Sequence, residues 1–457
     1  MPVSTAFAGS ASDEREKASE RPARIMARGA AITIAGHVTS LARPIAVAWF
    51  ARLYGARTLG GFLLLWTCVE LGSRLATWGL DRGLQRWADD RRAAAAIVGV
   101  LIAGSSALAM AVVLSEMLPS FAPFENDRLS AARAALLVGL PVTAMTNVAL
   151  RAARGETQIA MYVLARGVTE PLLLLLAGLV LSSHFTGSVA LPVTLIVSVA
   201  GGGAVAATTL VRAFGLRQLL RTLMRPRQWP VRELVRSSYP LGLADVVTSA
   251  QAKLDLVAVA LATLSARQIT AYAIAAELAA VFTAIRIGFD QIVAPIAAEF
   301  RGERERLVQV VTTAMRWSLY IGVPIAAVML AAPSRLLEIF GGVDAADRIL
   351  MILMIGRAVE MMLGPAASVL AVIGRPELSL LDAGVGVSVA LLLEISSSIL
   401  GLGSLAIALA STSGVIVSSL LALYWLAKVE HIAPRWSGFG FRAGARYAAA
   451  PARWNLR

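Results

Sequence analysis

Cysteine is almost absent from this chain: Cys68 is the only one in 457 residues. Disulfides within the chain are therefore excluded, and so is a cysteine-ligated metal site. Histidine is nearly as scarce, at three residues, so a histidine-rich metal cluster is not expected. No cofactor is expected either. Charged residues make up only 16% of the chain, well below the roughly 25% of a soluble domain. No stretch gathers acids, histidines or metal ligands into a catalytic cluster, so the sequence does not read as an enzyme. A nucleic-acid partner is not expected, although the net charge is +13.

What fills the chain is apolar residue. Hydrophobic residues make up 57% of it, the mean hydropathy is +0.71, and apolar runs long enough to cross a bilayer recur along nearly the whole length. The fold class follows: an all-α polytopic membrane protein. The pattern predicts about twelve transmembrane helices, near 31–51, 58–80, 93–115, 134–150, 160–182, 189–212, 237–262, 268–296, 313–334, 348–373, 377–400 and 404–428. The longest internal polar connection, FGLRQLLRTLMRPRQWPVRELVR, separates the sixth from the seventh and divides the chain into two sets of six.

The expected organisation is a disordered cytoplasmic tail over 1–30, an N-lobe over 31–215, a connector over 216–236, a C-lobe over 237–428 and a basic tail over 429–457. Residues 1–30 lack the apolar core of a signal peptide. Lys and Arg concentrate in one alternate set of connections, the set containing both tails and the interlobe connector. That bias predicts both termini on the cytoplasmic side and explains the basic character without nucleic acid. The connections on the opposite side are short. The longest, around PSFAPFENDR, leaves no room for an extramembrane catalytic domain. PRQWPVREL (226–234) and the C-terminal tail read as basic segments lying on anionic headgroups.

A weak internal repeat links the two halves. With the second half slid back by 210 residues, Arg43 falls on Lys253, Ala56-Arg57 on Ala266-Arg267 and Phe62 on Tyr272. The first span of each half then carries a cation at the same depth. Parallel repeats of this kind place a substrate site near the midplane between the lobes.

Several stretches resemble a known family. ARLYGARTLGGF (51–62), LGSRLATWGLDRGLQRW (71–87) and RAARGETQIAMYVLARGVTEPLLLLL (151–176) resemble the first half of oligosaccharide flippases of the multidrug/oligosaccharidyl-lipid/polysaccharide exporter superfamily. In the second half SSYPLGL (237–243), KLDLVAVAL (253–261), AYAIAAELA (271–279), APIAAEF (294–300) and LMIGRAVEMMLGPAASVLAVIGRPELS (353–379) are similar to the same family. The resemblance implies two six-helix lobes around a central cavity. It also implies alternating-access flipping of a polyprenyl-pyrophosphate-linked oligosaccharide across a bacterial inner membrane. Further implied partners are membrane lipids and, for surface polysaccharide assembly, a polymerase and glycosyltransferases. Twelve spans rather than fourteen favour a surface polysaccharide such as O-antigen, capsule or exopolysaccharide as the product.

A charge at bilayer depth costs about 3 kcal/mol on insertion scales, so charges inside spans are candidate site residues. Arg43 and Lys253 have no acid three or four positions away, and they are the repeat-related pair. Both are expected to face the cavity and hold the pyrophosphate, one with a fork of donors and one with a point charge. The alternative is that each pairs with an acid on another helix, Asp255 or Asp245 being available. Arg74, Arg286 and Arg357 are further cavity candidates. Each also has a carboxylate one turn away, in Glu70, Asp290 and Glu360, so a structural ion pair is the rival reading for each. On the seventh helix Asp245, Thr248, Ser249, Gln251, Lys253 and Asp255 share one wide polar arc, which reads as a cavity wall. Asp255 and Glu394 are candidates to carry a coupling proton, although Glu394, with serines beside it in LLLEISSS, reads more readily as a satisfied packing residue; Asp290, Asp245 and Gln251 complete the cavity-lining set. Whether proton, sodium or membrane potential drives the cycle is left open.

Pro44, Pro141, Pro324 and Pro365 are expected inside helices, where each removes a backbone bond and bends the axis. Gly201-Gly202-Gly203 is expected to let helices approach closely. Trp49, Tyr54 and Trp78 read as interface anchors. Two other functions remain open. One is a multidrug or cation exporter of the same fold, disfavoured because 31–51 holds a cation and no acid. The other is a non-transporting scaffold of a polysaccharide assembly complex.

Overall fold

A computed structural model describes residues 42–84, 89–118, 126–151, 160–225, 229–262, 265–300, 302–339 and 346–434. The expected tail over 1–30, the start of the first span and most of the basic C-terminal tail lie outside the described residues.

The described residues are helical nearly throughout, with no strand among them. In chain order the first half contains α1 (Ala42–Thr77), α2 (Asp89–Met117), α3 (Asn126–Leu150), α4 (Ala160–Ser182), α5 (Gly187–Phe214) and the short α6 (Leu216–Leu223). The second half contains α7 (Val231–Leu261), α8 (Ala266–Glu299), α9 (Arg304–Ala331), α10 (Ala346–Leu363), α11 (Pro365–Ile373), α12 (Pro376–Ile399) and α13 (Gly403–Tyr424). Short helices Leu80–Gly83 and Pro333–Ile339 lie between them.

Among the described residues nine helices are long and apolar enough to cross a membrane, and the bent pair α10–α11 makes a tenth. Two expected spans lie outside that count. The first is described only from Ala42. The other, α7, carries Asp245, Lys253 and Asp255 within its span. The span that carries Lys253 is thus one that apolar length alone does not identify.

Gly55 makes two spans of α1. Its φ of 76° and ψ of 160° interrupt the helix, a conformation that L side chains rarely adopt. The chain must reverse there. Arg43 and Glu70 lie twelve residues before and fifteen after Gly55, which at 1.5 Å per residue is about 20 Å of helix on either side. Their side chains nevertheless touch at 2.8 Å. An aromatic series seals the hairpin: Phe50 meets Tyr54 and Phe62 at ring-centre distances of 6.2 Å each, and Phe62 meets Trp66 at 5.5 Å. Tyr54 therefore packs inward on Phe50 instead of serving as the anchor expected of it, whereas Trp49 and Trp78 are about half exposed.

Lipid offers apolar side chains nearly the same environment as a protein core, so the lobes must hold together by close packing and polar contacts. Small residues supply the first. Gly201, Gly202 and Gly203 of α5 lie directly against Leu173, Glu170 and Val142, on α4 and α3. Within the second half α12 packs along α13, and α10 along both α8 and α13. One apolar core runs through both lobes, from Phe50 and Leu64 to Tyr272 and Phe282.

The second limb of α1 meets the other half at both ends. Near Gly55, Gly60 lies against Thr270 of α8. At the far end the helix stops at Trp78 and Gly79, both with positive φ, and Gly79 lies against the backbone of Gly242 in α7. This limb, flanked by α7 and α8, forms the seam between the lobes.

Proline behaves in two ways. Pro141 and Pro324 sit inside α3 and α9 as expected, and Pro192 does so in α5, which sequence reasoning had not singled out. Pro365, expected inside a helix, instead begins a new one: α10 and α11 meet at 40° across Gly364. Pro44 stands in the first described turn of α1.

Candidate functional site: a charged cavity between the lobes

The seam encloses a cavity of about 480 Å³, lined by Arg43, Glu70 and Arg74 from α1, Arg166 and Glu170 from α4, Lys253 from α7 and Arg286 from α8, among others. A smaller enclosed space of about 80 Å³ adjoins it, sharing Arg43 and Lys253 and adding Asp255, Glu277 and Arg357. The five substrate-binding candidates, Arg43, Arg74, Lys253, Arg286 and Arg357, all line one of these two spaces.

Arg43 and Lys253 converge as the repeat implies. They do so on one carboxylate. Glu70 Oε1 accepts from Arg43 Nη1 at 2.8 Å and from Trp66 Nε1 at 3.0 Å. Its Oε2 lies 3.1 Å from Lys253 Nζ. Arg43 also reaches Glu277 of α8, with Nε 2.5 Å from Oε1, and its guanidinium stacks 4.0 Å over the Trp66 ring. The planar fork of Arg suits this, because its edge meets the two carboxylates while its face lies on the ring. Of the acids proposed from sequence as partners, Asp255 gives way to Glu70 and Glu277. The expected Glu70–Arg74 pair is likewise replaced, because Glu70 bonds the two repeat-related cations. The reason is register: the Gly55 hairpin brings the Glu70 face of α1 onto Arg43, and α7 packs beside it. All four side chains are between one-eighth and one-third exposed, so they face a wet space.

A second carboxylate is shared in the C-lobe. Glu360 lies 2.9 Å from Arg357 Nη1 and 3.3 Å from Arg286 Nε, while Arg286 Nη1 also bonds Asp290 at 2.8 Å. The expected Arg286–Asp290 and Arg357–Glu360 pairs are therefore both present and joined into one chain of charges. The backbone permits the approach: Gly364 leaves room for the Arg286 stem, which a side chain there would strike.

The polar arc of α7 divides. Thr248, Ser249 and Lys253 line the larger cavity. Gln251 turns instead to the backbone carbonyl of Gly414 in α13, at 3.5 Å. Asp255, 5% exposed, accepts from Tyr272 Oη at 2.9 Å, Ser411 Oγ at 3.2 Å and the Leu256 amide at 2.8 Å. It borders the smaller space but is tied into C-lobe packing. The Asp245 side chain lies outside the described part of the structure. Glu394, 2% exposed, is on α12 and lines neither of the two spaces. Its Oε2 is buried without a hydrogen-bond partner.

Arg166 was missed as a site residue. It stands on a π-helical turn, Val163–Thr169, that widens α4. It donates to both oxygens of Glu170 at 2.8 Å and to the side chain of Asn147. The signal was legible: Arg166 and Glu170 have the same four-residue spacing as Arg286 and Asp290.

No protein-family model matches the chain, and no curated protein matches it in sequence. Solved structures do match in three dimensions. One is described as the lipid II flippase MurJ in an inward closed conformation, with a TM-score of 0.67, 11% identity and 88% of each chain covered. Another is an inward-facing multidrug resistance MATE family transporter of the MOP superfamily, with a TM-score of 0.66, 16% identity, and 88% of this chain and 98% of that one covered. A MOP superfamily transporter from Pyrococcus furiosus, described as having a reversed binding-pocket polarity, matches at a TM-score of 0.63, 16% identity, and 90% and 96% coverage. The chain has the fold of these flippases and exporters. It is a multi-pass membrane fold of two lobes around a central cavity, and the structures that share it are named as transporters or flippases, not enzymes.

Proposed function

We propose that the protein flips a polyprenyl-pyrophosphate-linked oligosaccharide across the bacterial cytoplasmic membrane by alternating access, for surface polysaccharide assembly. Both termini lie on the cytoplasmic side in this reading, and polymerase and glycosyltransferases act on either side of the step. The observation that carries it is the meeting of Arg43 and Lys253, one from each lobe, on a single cavity. That cavity is lined by five cations and two carboxylates, so its wall favours an anionic group. Its volume of about 480 Å³ falls in the range of small-ligand sites. It fits a diphosphate with the nearest sugar and leaves the lipid chain and the rest of the glycan outside.

The fold also supports a drug or cation exporter, and Glu70 and Glu277 favour that reading to the extent that they are carboxylates at the cavity. Both are already engaged by cations of the protein, which leaves less negative charge to offer a ligand. The deciding experiment reconstitutes the purified protein in vesicles. One set holds a fluorescent polyprenyl-diphosphate oligosaccharide and another an organic-cation dye. Movement of the lipid-linked glycan, lost in the doubly substituted Arg43→Gln, Lys253→Gln protein, is the expected outcome. Dye export without glycan movement overturns the proposal.

A further inference from the structure

The four side chains at the seam make a reciprocal exchange. Arg43 and Glu70 come from α1, in the first lobe; Lys253 and Glu277 come from α7 and α8, in the second. Two contacts cross the seam in opposite directions, Arg43 to Glu277 at 2.5 Å and Lys253 to Glu70 at 3.1 Å. A third, Arg43 to Glu70 at 2.8 Å, ties them together. Each lobe supplies one cation and one carboxylate, and the group as a whole is neutral.

This neutrality bears on any anionic cargo. A cavity whose cations were unpaired would bind a diphosphate tightly and release it slowly. Transport needs binding strong enough to admit the cargo and weak enough to let it leave. We propose that Glu70 and Glu277 are resident counter-anions which the cargo's diphosphate displaces from Arg43 and Lys253, so that loading undoes the direct ion pairs across the seam and unloading restores them. The inference rests on the anionic-cargo reading above and adds what sets selectivity and release.

The geometry supports the exchange in three ways. First, the two cations already reach the two oxygens of one carboxylate, a spacing that oxygens of a single diphosphate also satisfy. Secondly, an anion of single charge can stand in for only one of the two resident carboxylates and leaves the other paired. Two adjoining phosphoryl groups can engage both cations, so the carboxylates act as a threshold on ligand charge. Thirdly, displaced Glu70 has another cation within reach. Arg74 is one turn further along the same helix and lines the same cavity, at the spacing where side chains on one face meet. A diphosphate is also larger than a carboxylate, so engaging both cations widens the gap that the four side chains now span.

The test uses full-length protein in detergent, with inorganic pyrophosphate as the probe and inorganic phosphate at equal ionic strength as the control. Calorimetric titration is expected to show that Glu70→Gln, which removes a competing charge at nearly constant shape, binds pyrophosphate at least tenfold more tightly than wild type. The same variant is expected to move lipid-linked glycan more slowly at saturation. Glu70→Asp, which keeps the competitor, is expected to bind as wild type does and to control for folding. A merely structural role for Glu70 would weaken binding and transport together. Spin labels at exposed Phe185 and Leu400, one on each lobe, with Cys68 replaced by Ser, give a second readout. Their separation is expected to shift with pyrophosphate but not phosphate, and to be shifted already in the Glu70→Gln, Glu277→Gln protein. Unchanged or weaker pyrophosphate binding in Glu70→Gln overturns the exchange, as does an equal response to phosphate. If the exchange signature is present while no glycan moves, the exchange stands and the flippase reading falls.

Discussion

Arg43 and Lys253, separated by 210 positions in the chain, bond opposite oxygens of the same carboxylate, Glu70. The sequence repeat that pairs them in register thus has a physical counterpart. Equivalent first spans of the two lobes bring equivalent cations to one point, and the lobe seam passes through it.

This arrangement makes Arg43 more demanding than Lys253. Arg43 meets Glu70, Glu277 and the Trp66 ring at once, whereas the ammonium of Lys253 contacts Glu70. Arg43→Lys is expected to keep the charge but lose the bridge, lowering the glycan-flipping rate about tenfold, which corresponds to about 1.4 kcal/mol. Lys253→Arg is expected to retain most of the activity. Comparing initial flipping rates of the two conservative variants in vesicles checks the asymmetry. Equal losses would show that charge alone matters at both positions.

Asp255 belongs to a different class. Its side chain is satisfied by Tyr272, Ser411 and the Leu256 amide inside the C-lobe. Tyr272→Phe removes a fully buried donor and leaves an acceptor short of a partner. Destabilisation of about 1–2 kcal/mol is expected, read as a lower thermal midpoint in detergent. Ser411→Ala, which removes a longer bond, is expected to cost less. A Tyr272→Phe protein as stable as wild type would mean that water replaces the lost hydroxyl.

These cases show what could be read from sequence. The helix count, the division into lobes and the cavity cations were legible because each leaves a local signal: apolar length, a polar connector, a charge within an apolar run. The partners of those cations were not. Glu70 looked committed to Arg74 because sequence shows only neighbours along a helix. The Gly55 hairpin and the α1–α7 packing that redirect it are contacts over 27 and 183 positions. Arg166 was overlooked although its spacing to Glu170 was visible. The π-turn that carries it leaves no periodicity that distinguishes it from an ordinary helix.

The contact between Gly79 and Gly242 offers a test of lobe closure. Any Cβ on Gly242 would run into the backbone of Trp78 and Gly79, and backbone cannot swing aside as a flexible side chain can. Gly242→Ala is expected to hold the lobes apart at this end. The readout is the separation of spin labels placed at Met224 and Val429, both exposed, the first on the connector after the N-lobe and the second just past the C-lobe, with Cys68 replaced by Ser. It is expected to lengthen in the Gly242→Ala protein, whereas Gly384→Ala, where a Cβ meets open space, should leave it unchanged. An unaltered separation in Gly242→Ala would mean that the seam adjusts by sliding.

Gly364 and Pro365 sit side by side at the 40° bend of the tenth span, yet opposite effects are expected from changing them. Proline at the first position of a helix forfeits a backbone donor that has no partner there in any case, so Pro365→Ala should alter stability and transport little. Gly364 is different, because a Cβ would meet the Arg286 side chain and the Glu360 carbonyl at 2.6 and 2.7 Å. Displacing Arg286 breaks its bonds to Asp290 and Glu360 together, and Glu360 is also the partner of Arg357. Gly364→Ala is therefore expected to disturb four charged side chains from a position that carries no charge. Flipping is expected to fall at least tenfold while folded yield by size exclusion stays near wild type. If instead Pro365→Ala is the damaging change, the bend itself matters to the cycle, and the ion-pair chain can absorb a methyl group without loss.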